Sequence, residues 1–175
     1  MTSRLGLVLI ALLLASAPGC DGGDGEVATQ PPPTTLPTTT APETDEAALE
    51  DSVRQALRDN DRLSGYVLGS NRIPVWATRS TRGPALATLR ASAADRRKQG
   101  IQVRTLVSEL EIDSIALDPS YTKATAVVRN IQRVRPYRGG KPVGRAVDLN
   151  ERAEVELRRL DTSARFVVWR VRVLD

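Results

Sequence analysis

Glu109, Glu111 and Asp113 alternate along one stretch of the chain and are its best-placed acid–base groups. In an extended strand alternate side chains share a face. Three like charges on one face are ordinarily solvated. If they lined a pocket instead, burial and mutual repulsion would raise their pKa values and make one a candidate base. The remaining inventory narrows the chemistry. There is no histidine, which removes Ser-His-Asp and Cys-His nucleophile systems in their usual form, together with the commonest zinc ligand. A single cysteine, Cys20, has no partner for a disulfide within the chain. No phosphate-binding loop and no dinucleotide fingerprint occurs, and Gly139-Gly140 reads as a turn. The expectation is a domain without catalytic residues, metal site or cofactor.

Positive charge is concentrated instead. The segment RNIQRVRPYRGGKPVGR, from Arg129 to Arg145, holds Arg129, Arg133, Arg135, Arg138, Lys141 and Arg145 with no acid. Arg129, Arg133 and Arg135 share parity and so one strand face. Two readings stand: a hairpin that resists edge-to-edge pairing with exposed charge, or a surface for an anionic partner. Basic surfaces also bind nucleic acid, but the export signal described below argues against that partner. Anionic lipid headgroups and cell-wall polymers are the anions within reach. Aromatic residues are few: two Trp, three Tyr and one Phe. Trp169 is expected in the core, with an indole N–H facing a ligand as the alternative. Trp76, in IPVWATRS, is either a plug over a pocket or a contact for a partner.

The elements that must position these residues are legible in outline. Thr44 is a suitable N-cap, and Asp45 and Glu46 follow in a first turn that favours negative charge. Leu49, Val53, Ala56 and Leu57 then fall on one helical face. Leu63, Val67 and Leu68 could extend it, though Gly65 weakens the extension. Pro84 suits the first turn of a second helix with Leu86, Leu89 and Ala93 on its apolar face, and Gly100 ends it. From Ile101 the pattern turns to strands. Leu106, Leu110 and Ile112 alternate, with a phase change near the start. Asp118-Pro119-Ser120, Gly139-Gly140 and Asp161-Thr162-Ser163 mark turns. Val167, Trp169, Val171 and Val173 predict one face of a last strand, with Phe166 and Val168 on the other. Helices followed by an antiparallel meander predict an α+β fold, with N-terminal helices packed on a curved antiparallel sheet.

Ahead of this domain the chain has a different character. MTSRLGLVLIALLLASAPGC has one positive charge, an apolar core from Leu5 to Ala15 and small residues up to Cys20. This is the layout of a secretory signal peptide, too short for a membrane span, which needs about 20 residues. Ala15-Ser16-Ala17 offers one cleavage site, disfavoured by the following Pro18. Ala17-Pro18-Gly19-Cys20 offers the other. That ending resembles the signal of a bacterial lipoprotein, which implies cleavage before Cys20, a diacylglycerol on its thiol, and the extracytoplasmic face of the cell membrane as its location. Two acyl chains give stable anchoring. Residues 20–43 then form a Gly-, Pro- and Thr-rich linker with no apolar period. In extended polyproline form it reaches on the order of 70 Å. From Asp21 to Glu46 six residues are acidic and none basic. From Ala47 onward 24 Lys plus Arg stand against 15 Asp plus Glu, a net +9. The organisation read here is a signal peptide over 1–19, a lipidated cysteine and linker over 20–43, and one domain over 44–175.

Thr44 to Asp175 resembles the NTF2-like, or SnoaL-like, cone fold, and more narrowly the NTF2-like lipoproteins and Mce-associated proteins of actinobacteria. The resemblance rests on the helix ending GPALATLRASAADRRKQG, the strand IQVRTLVSELEIDSIALD, the strand TKATAVVRN and the terminal RRLDTSARFVVWRVRVLD. Relatives place Gly-Arg-Trp near the final turn, where this chain has Ser163-Ala164-Arg165-Phe166. The resemblance implies a cone, for whose pocket Trp76, as a plug, and Trp169, Glu109, Glu111 and Asp113, as lining, are the candidates. Two functions follow: a lipid-anchored, non-enzymatic binding or scaffold domain contacting anionic lipid, wall polymer or an envelope protein, or a pocket protein acting as a small-ligand carrier or an isomerase- or cyclase-type enzyme.

Overall fold

The computed structural model describes residues 45–160 and 165–174. The signal segment, Cys20, the linker, Thr44 and the turn at Asp161-Thr162-Ser163 lie outside the described residues. Helix α1 spans Glu46–Ser70, and its N-cap is Asp45, whose carboxylate accepts the Ala48 N–H at 3.1 Å. The predicted face is buried and continues through Leu63 and Val67. Gly65 does not end the helix. The apolar contacts on either side of it outweigh its propensity cost of about 1 kcal/mol. Asn71 stops the helix in the left-handed conformation, φ 53°, with its N–H on the Val67 carbonyl.

A short 3-10 helix, Val75–Arg79, stands where the sequence suggests only a loop. Helix α2 spans Gly83–Lys98 with Pro84 in its first turn. Gly100, at φ +65°, turns the chain into the sheet. Strands β1 (Ile101–Leu117), β2 (Lys123–Arg138), β3 (Lys141–Pro142), β4 (Val147–Arg159) and β5 (Phe166–Leu174) are antiparallel, in the order β1-β2-β4-β5 with β3 paired to the end of β2. Two helices on a five-stranded antiparallel sheet make the fold α+β, as the order of elements predicts.

Three bulges correct the simple alternation. Leu106 is skipped in the β1–β2 register and stands exposed, so it does not share the core face with Leu110 and Ile112. Asp113 is skipped further along β1. Trp169 is skipped in the β4–β5 register. The last bulge overturns the face predicted for β5. Val171 and Val173 pair with Val155 and Ala153, in the phase of buried Val168, rather than continuing from Val167 through Trp169. A bulge adds one residue to one strand and so exchanges the two faces beyond it.

The core has two parts. Leu49, Val53, Ala56 and Leu57 of α1 pack on Ala124, Ala126 and Val128 of β2, Val155 and Leu157 of β4, and Phe166 and Val168 of β5. Fully buried alanines at 124 and 126 leave room for the helix to close on the sheet. A second, smaller cluster joins Leu63 and Val67 to Ala77, Leu86 and Ala93, and so ties α1 to the 3-10 helix and α2.

Candidate functional site

The sheet face turned away from the helices is rich in charge, and pairing across strands decides what that charge does. β1 contributes Glu109, Glu111 and Asp113, all exposed. Glu111 meets Arg129 of β2 at 3.6 Å, and Asp113 meets Arg152 of β4 at 3.2 Å. Arg133 meets Asp148 at 3.6 Å, Arg172 meets Glu154 at 2.9 Å, and Arg158 meets Glu156 at 3.0 Å. Glu109 has no ion pair among the described residues. The three carboxylates therefore lie on an open face, two of them matched to arginines. They do not converge on a pocket, and the arrangement offers no desolvated acid–base pair. Exposed pairs of this kind stabilise weakly, by about 0–1 kcal/mol each. Their main effect is to cancel charge.

The segment without acids in sequence is thus only partly without acids in space. Arg129 and Arg133 are neutralised by neighbours from other strands. Arg135, Arg138, Lys141 and Arg145 are not paired with any acid among the described residues. Arg135 stands directly opposite Arg104 of β1 in the strand register. Like charges facing each other across a pair are unfavourable. The Arg104 guanidinium lies 4.4 Å from the centroid of the Tyr137 ring, which offsets part of that cost. Arg135 Nε is buried and has no hydrogen-bond partner among the described residues.

Gly139 and Gly140, at φ +56° and +79°, make the tight turn that exposes Arg138 and Lys141 at the tip. That turn borders a cleft of about 320 Å³, also lined by Asn71, Arg72, Arg97 and Gln102. Both helices end here. Arg96, Arg97 and Lys98 sit in the last turn of α2, where positive charge complements the helix dipole. Arg96 ties the two helix ends together. Its Nε donates to Asn71 Oδ1 at 3.0 Å, Nη1 to Ser92 Oγ at 2.6 Å and Nη2 to the Val67 carbonyl at 3.4 Å. Burial lowers the Arg96 pKa from its ordinary value. Asn71, itself buried, donates Nδ2 to the Ile101 carbonyl at 2.6 Å. The basic end of the domain thus rests on a hydrogen-bonded frame rather than on loose loops.

Behind it, on the helix-facing side, the sheet turns polar. Gln132 Nε2 donates to Ser108 Oγ, and Ser108 Oγ to Asp61 of α1, each at 3.4 Å. Thr105 Oγ1 and Asn130 Oδ1 are buried without partners among the described residues. Burial raises the Asp61 pKa, and the Ser108 hydrogen bond partly offsets that rise. Among the described residues no group of carboxylates and thiols is disposed to hold a metal ion.

The tryptophans part company. Trp169, expected in the core, is half-buried. Its ring lies against Gly83, where a Cβ would come within 2.7 Å of it, and the Arg158 guanidinium covers it at 4.1 Å. It is a clamp between β5 and the start of α2, and its bulge explains why alternation misplaces it. Trp76 is 36% exposed on the 3-10 helix, edge-on to Tyr66 at 6.1 Å. Sequence reasoning missed Arg104, Arg72 and Arg97 as members of the basic end. Arg104 joins Arg135 only because the Leu106 bulge resets the β1 register. Arg72 and Arg97 arrive through helix packing, which leaves no local signal.

No protein-family model matches the chain, and no curated protein matches it. Among solved structures it is similar to the intermembrane space region of the chloroplast protein ARC6, with a TM-score of 0.60 and 14% sequence identity over 76% of this chain and 98% of that one. At that identity the likeness is one of fold.

Proposed function

We propose that this chain is a lipid-anchored protein of the extracytoplasmic face of a bacterial cell membrane, tethered through Cys20, and that its domain is a non-enzymatic binding module for an anionic partner, either lipid headgroups or a cell-wall polymer. The short apolar core ending in Ala17-Pro18-Gly19-Cys20 supports the anchor. An NTF2-like cone of the actinobacterial lipoprotein kind is the architecture this reading takes, and the order of two helices before an antiparallel sheet is consistent with it. The pairing of Glu111 and Asp113 with arginines on an open face supports a binding rather than a catalytic role.

One observation carries the binding reading. On the outer sheet face Arg129, Arg133, Arg152 and Arg172 each meet a carboxylate, whereas towards the hairpin end Arg104 faces Arg135, Arg138 and Lys141 flank the turn and Arg145 follows, none of them with an ion pair among the described residues. Such a cluster attracts polyanions, and salt screens it over about 8 Å at physiological ionic strength. The test is sedimentation of the protein with phosphatidylglycerol vesicles and, separately, with purified wall polymer, across a salt series. Binding to one of them that is abolished by high salt, and lost in Arg135→Glu/Arg138→Glu/Lys141→Glu, is the expected result. Equal binding by the triple variant would reduce the hairpin to a solvated edge. Cys20→Ala should block processing and lipid attachment; a Cys20→Ala protein that is still cut and partitions with membranes as wild type does would overturn the anchor.

A further inference from the structure

Two of the chain's six aromatic residues, Tyr66 and Trp76, lie half-exposed against each other. In a protein so poor in aromatics, an exposed pair is an uncommon use of them. Beside them Val75 is 98% exposed. Trp76 also borders a cleft of about 350 Å³ between α1, the 3-10 helix and the start of β5. Its charged lining is Asp59, Arg62, Arg79 and Arg165. Asp59 is engaged with Arg62 at 3.8 Å. Arg79 and Arg165 have no ion pair among the described residues. The cleft therefore combines an apolar ledge with net positive charge.

This surface is held rigidly. Ala77, 1% exposed, plugs the 3-10 helix into the second core cluster with Leu63, Val67 and Leu86. The Arg82 N–H donates to the Val168 carbonyl at 2.9 Å, and the Val168 N–H donates to the Ser80 carbonyl at 2.8 Å. The segment thus extends the sheet as a short parallel bridge beside β5. Thr81, fully buried, donates its hydroxyl to Asn60 of α1 at 2.8 Å. Val75 and Trp76 are therefore exposed on a braced element, not on a slack loop. Trp, Tyr and Arg are the side chains that dominate binding energy at protein interfaces, and a preformed ledge avoids the entropic cost of ordering a loop on contact.

We propose that the Tyr66–Trp76 ledge and the Arg79–Arg165 cleft form a docking site for an acidic segment of a partner protein, whose large apolar side chain packs on Trp76 and Val75 while its carboxylates meet Arg79 and Arg165. Charge complementarity selects this occupant. A wholly apolar ligand would leave the two guanidiniums desolvated, and a bare anion would leave the aromatic ledge unused. This cleft shares no lining residue with the one at the hairpin, and the site does not depend on the function proposed for that end.

The full chain is immobilised and panned with a random dodecapeptide display library, in parallel with Trp76→Ala and with the charge-reversed Arg79→Glu/Arg165→Glu. Wild type should enrich peptides that pair acidic residues with a large apolar one. A synthetic peptide of the enriched pattern should lose about tenfold or more in affinity for Trp76→Ala, in the range of interface hot spots. The charge-reversed protein should enrich basic peptides instead, with an unchanged melting temperature. Absence of any enriched pattern, the same pattern on wild type and charge-reversed protein, or a ledge whose Trp76→Ala change removes only binding to phosphatidylglycerol vesicles would each overturn the proposal. Arg135→Glu/Arg138→Glu/Lys141→Glu should leave the peptide pattern intact, which separates failure of this site from failure of the hairpin.

Discussion

The two ends of the same sheet are built on opposite principles. At the end where α1 begins, the helix-facing side is closely packed: Ala124, Ala126, Leu157 and Phe166 are almost inaccessible beneath Val53 and Leu57. At the hairpin end the helix-facing side carries Ser108, Asn130 and Gln132, and the outer side carries unpaired arginines. Burial of apolar area is the main favourable term in folding. The first end therefore supplies most of the stability, and the second is free to spend its surface on charge. Apolar packing and surface charge are separated along the strands rather than between domains.

Phe166→Ala should break this contrast most severely. It empties a fully buried site at the packed end, and large-to-small changes of this kind cost about 3–5 kcal/mol. Thermal unfolding would show it. A loss under 1 kcal/mol would mean that the packed end does not dominate.

Arg96→Ala tests the frame at the other end. It removes three hydrogen bonds from a charged donor and leaves the Val67 carbonyl and Asn71 Oδ1 without that partner. The expected cost is about 1.5–3 kcal/mol, with faster amide exchange at the ends of α1 and α2 than at Val53 or Leu157. Uniform acceleration across the domain would show that the two ends unfold as one.

Asp61 sharpens the comparison through pH. Its folded pKa lies above the ordinary value of 3.8, because burial penalises the charged form. A raised carboxyl pKa contributes stability below the unfolded value, and that contribution is lost as pH rises through the folded one. At neutral pH the charged Asp61 is therefore a small liability. Asp61→Asn should raise the melting temperature slightly at pH 7, and the gain should vanish as pH falls towards 3.8. Asp118 has the opposite sign. The Ser120 hydroxyl and the Lys123 N–H hold its pKa below 3.8, so its contribution is present at neutral pH and fades as pH falls through the folded value.

The smallest expected effect is on the hairpin itself. Arg138→Glu/Lys141→Glu alters two exposed side chains with no ion pairs among the described residues, so the unfolding free energy should change by no more than about 0.5 kcal/mol. A larger loss would place the tip in the structural frame.

What the sequence reveals follows the same division. The packed end is written in periodicity: Leu49, Val53, Ala56 and Leu57 give α1, and Asp118-Pro119-Ser120 and Gly139-Gly140 give the turns. The Arg96–Asn71 bridge and the Asn71 bond to the Ile101 carbonyl carry no periodic signal, because they join residues 25 and 30 positions apart in the chain, and the 3-10 helix is held by tertiary packing of Ala77 on α1 and α2. The bulges at Leu106, Asp113 and Trp169 defeat alternation at the points where it would be used to assign faces. That is why Trp169 and Val171 were expected where they are not found. For the hairpin, sequence shows the density of charge but not its cancellation, since Glu111 and Asp148 approach Arg129 and Arg133 only across strands.

The bulges in β1 have a consequence for crowding. β1 is a border strand of 17 residues, long enough to act as a template on which another copy could zip its own border strand. Where the chain skips a residue, the row of free N–H and C=O groups loses its spacing, so a second strand laid alongside would fall out of step at Leu106 and again at Asp113. The longest uninterrupted stretch is then Val107 to Ile112. Two such interruptions make β1 a poorer template for edge-to-edge growth than a regular strand of the same length.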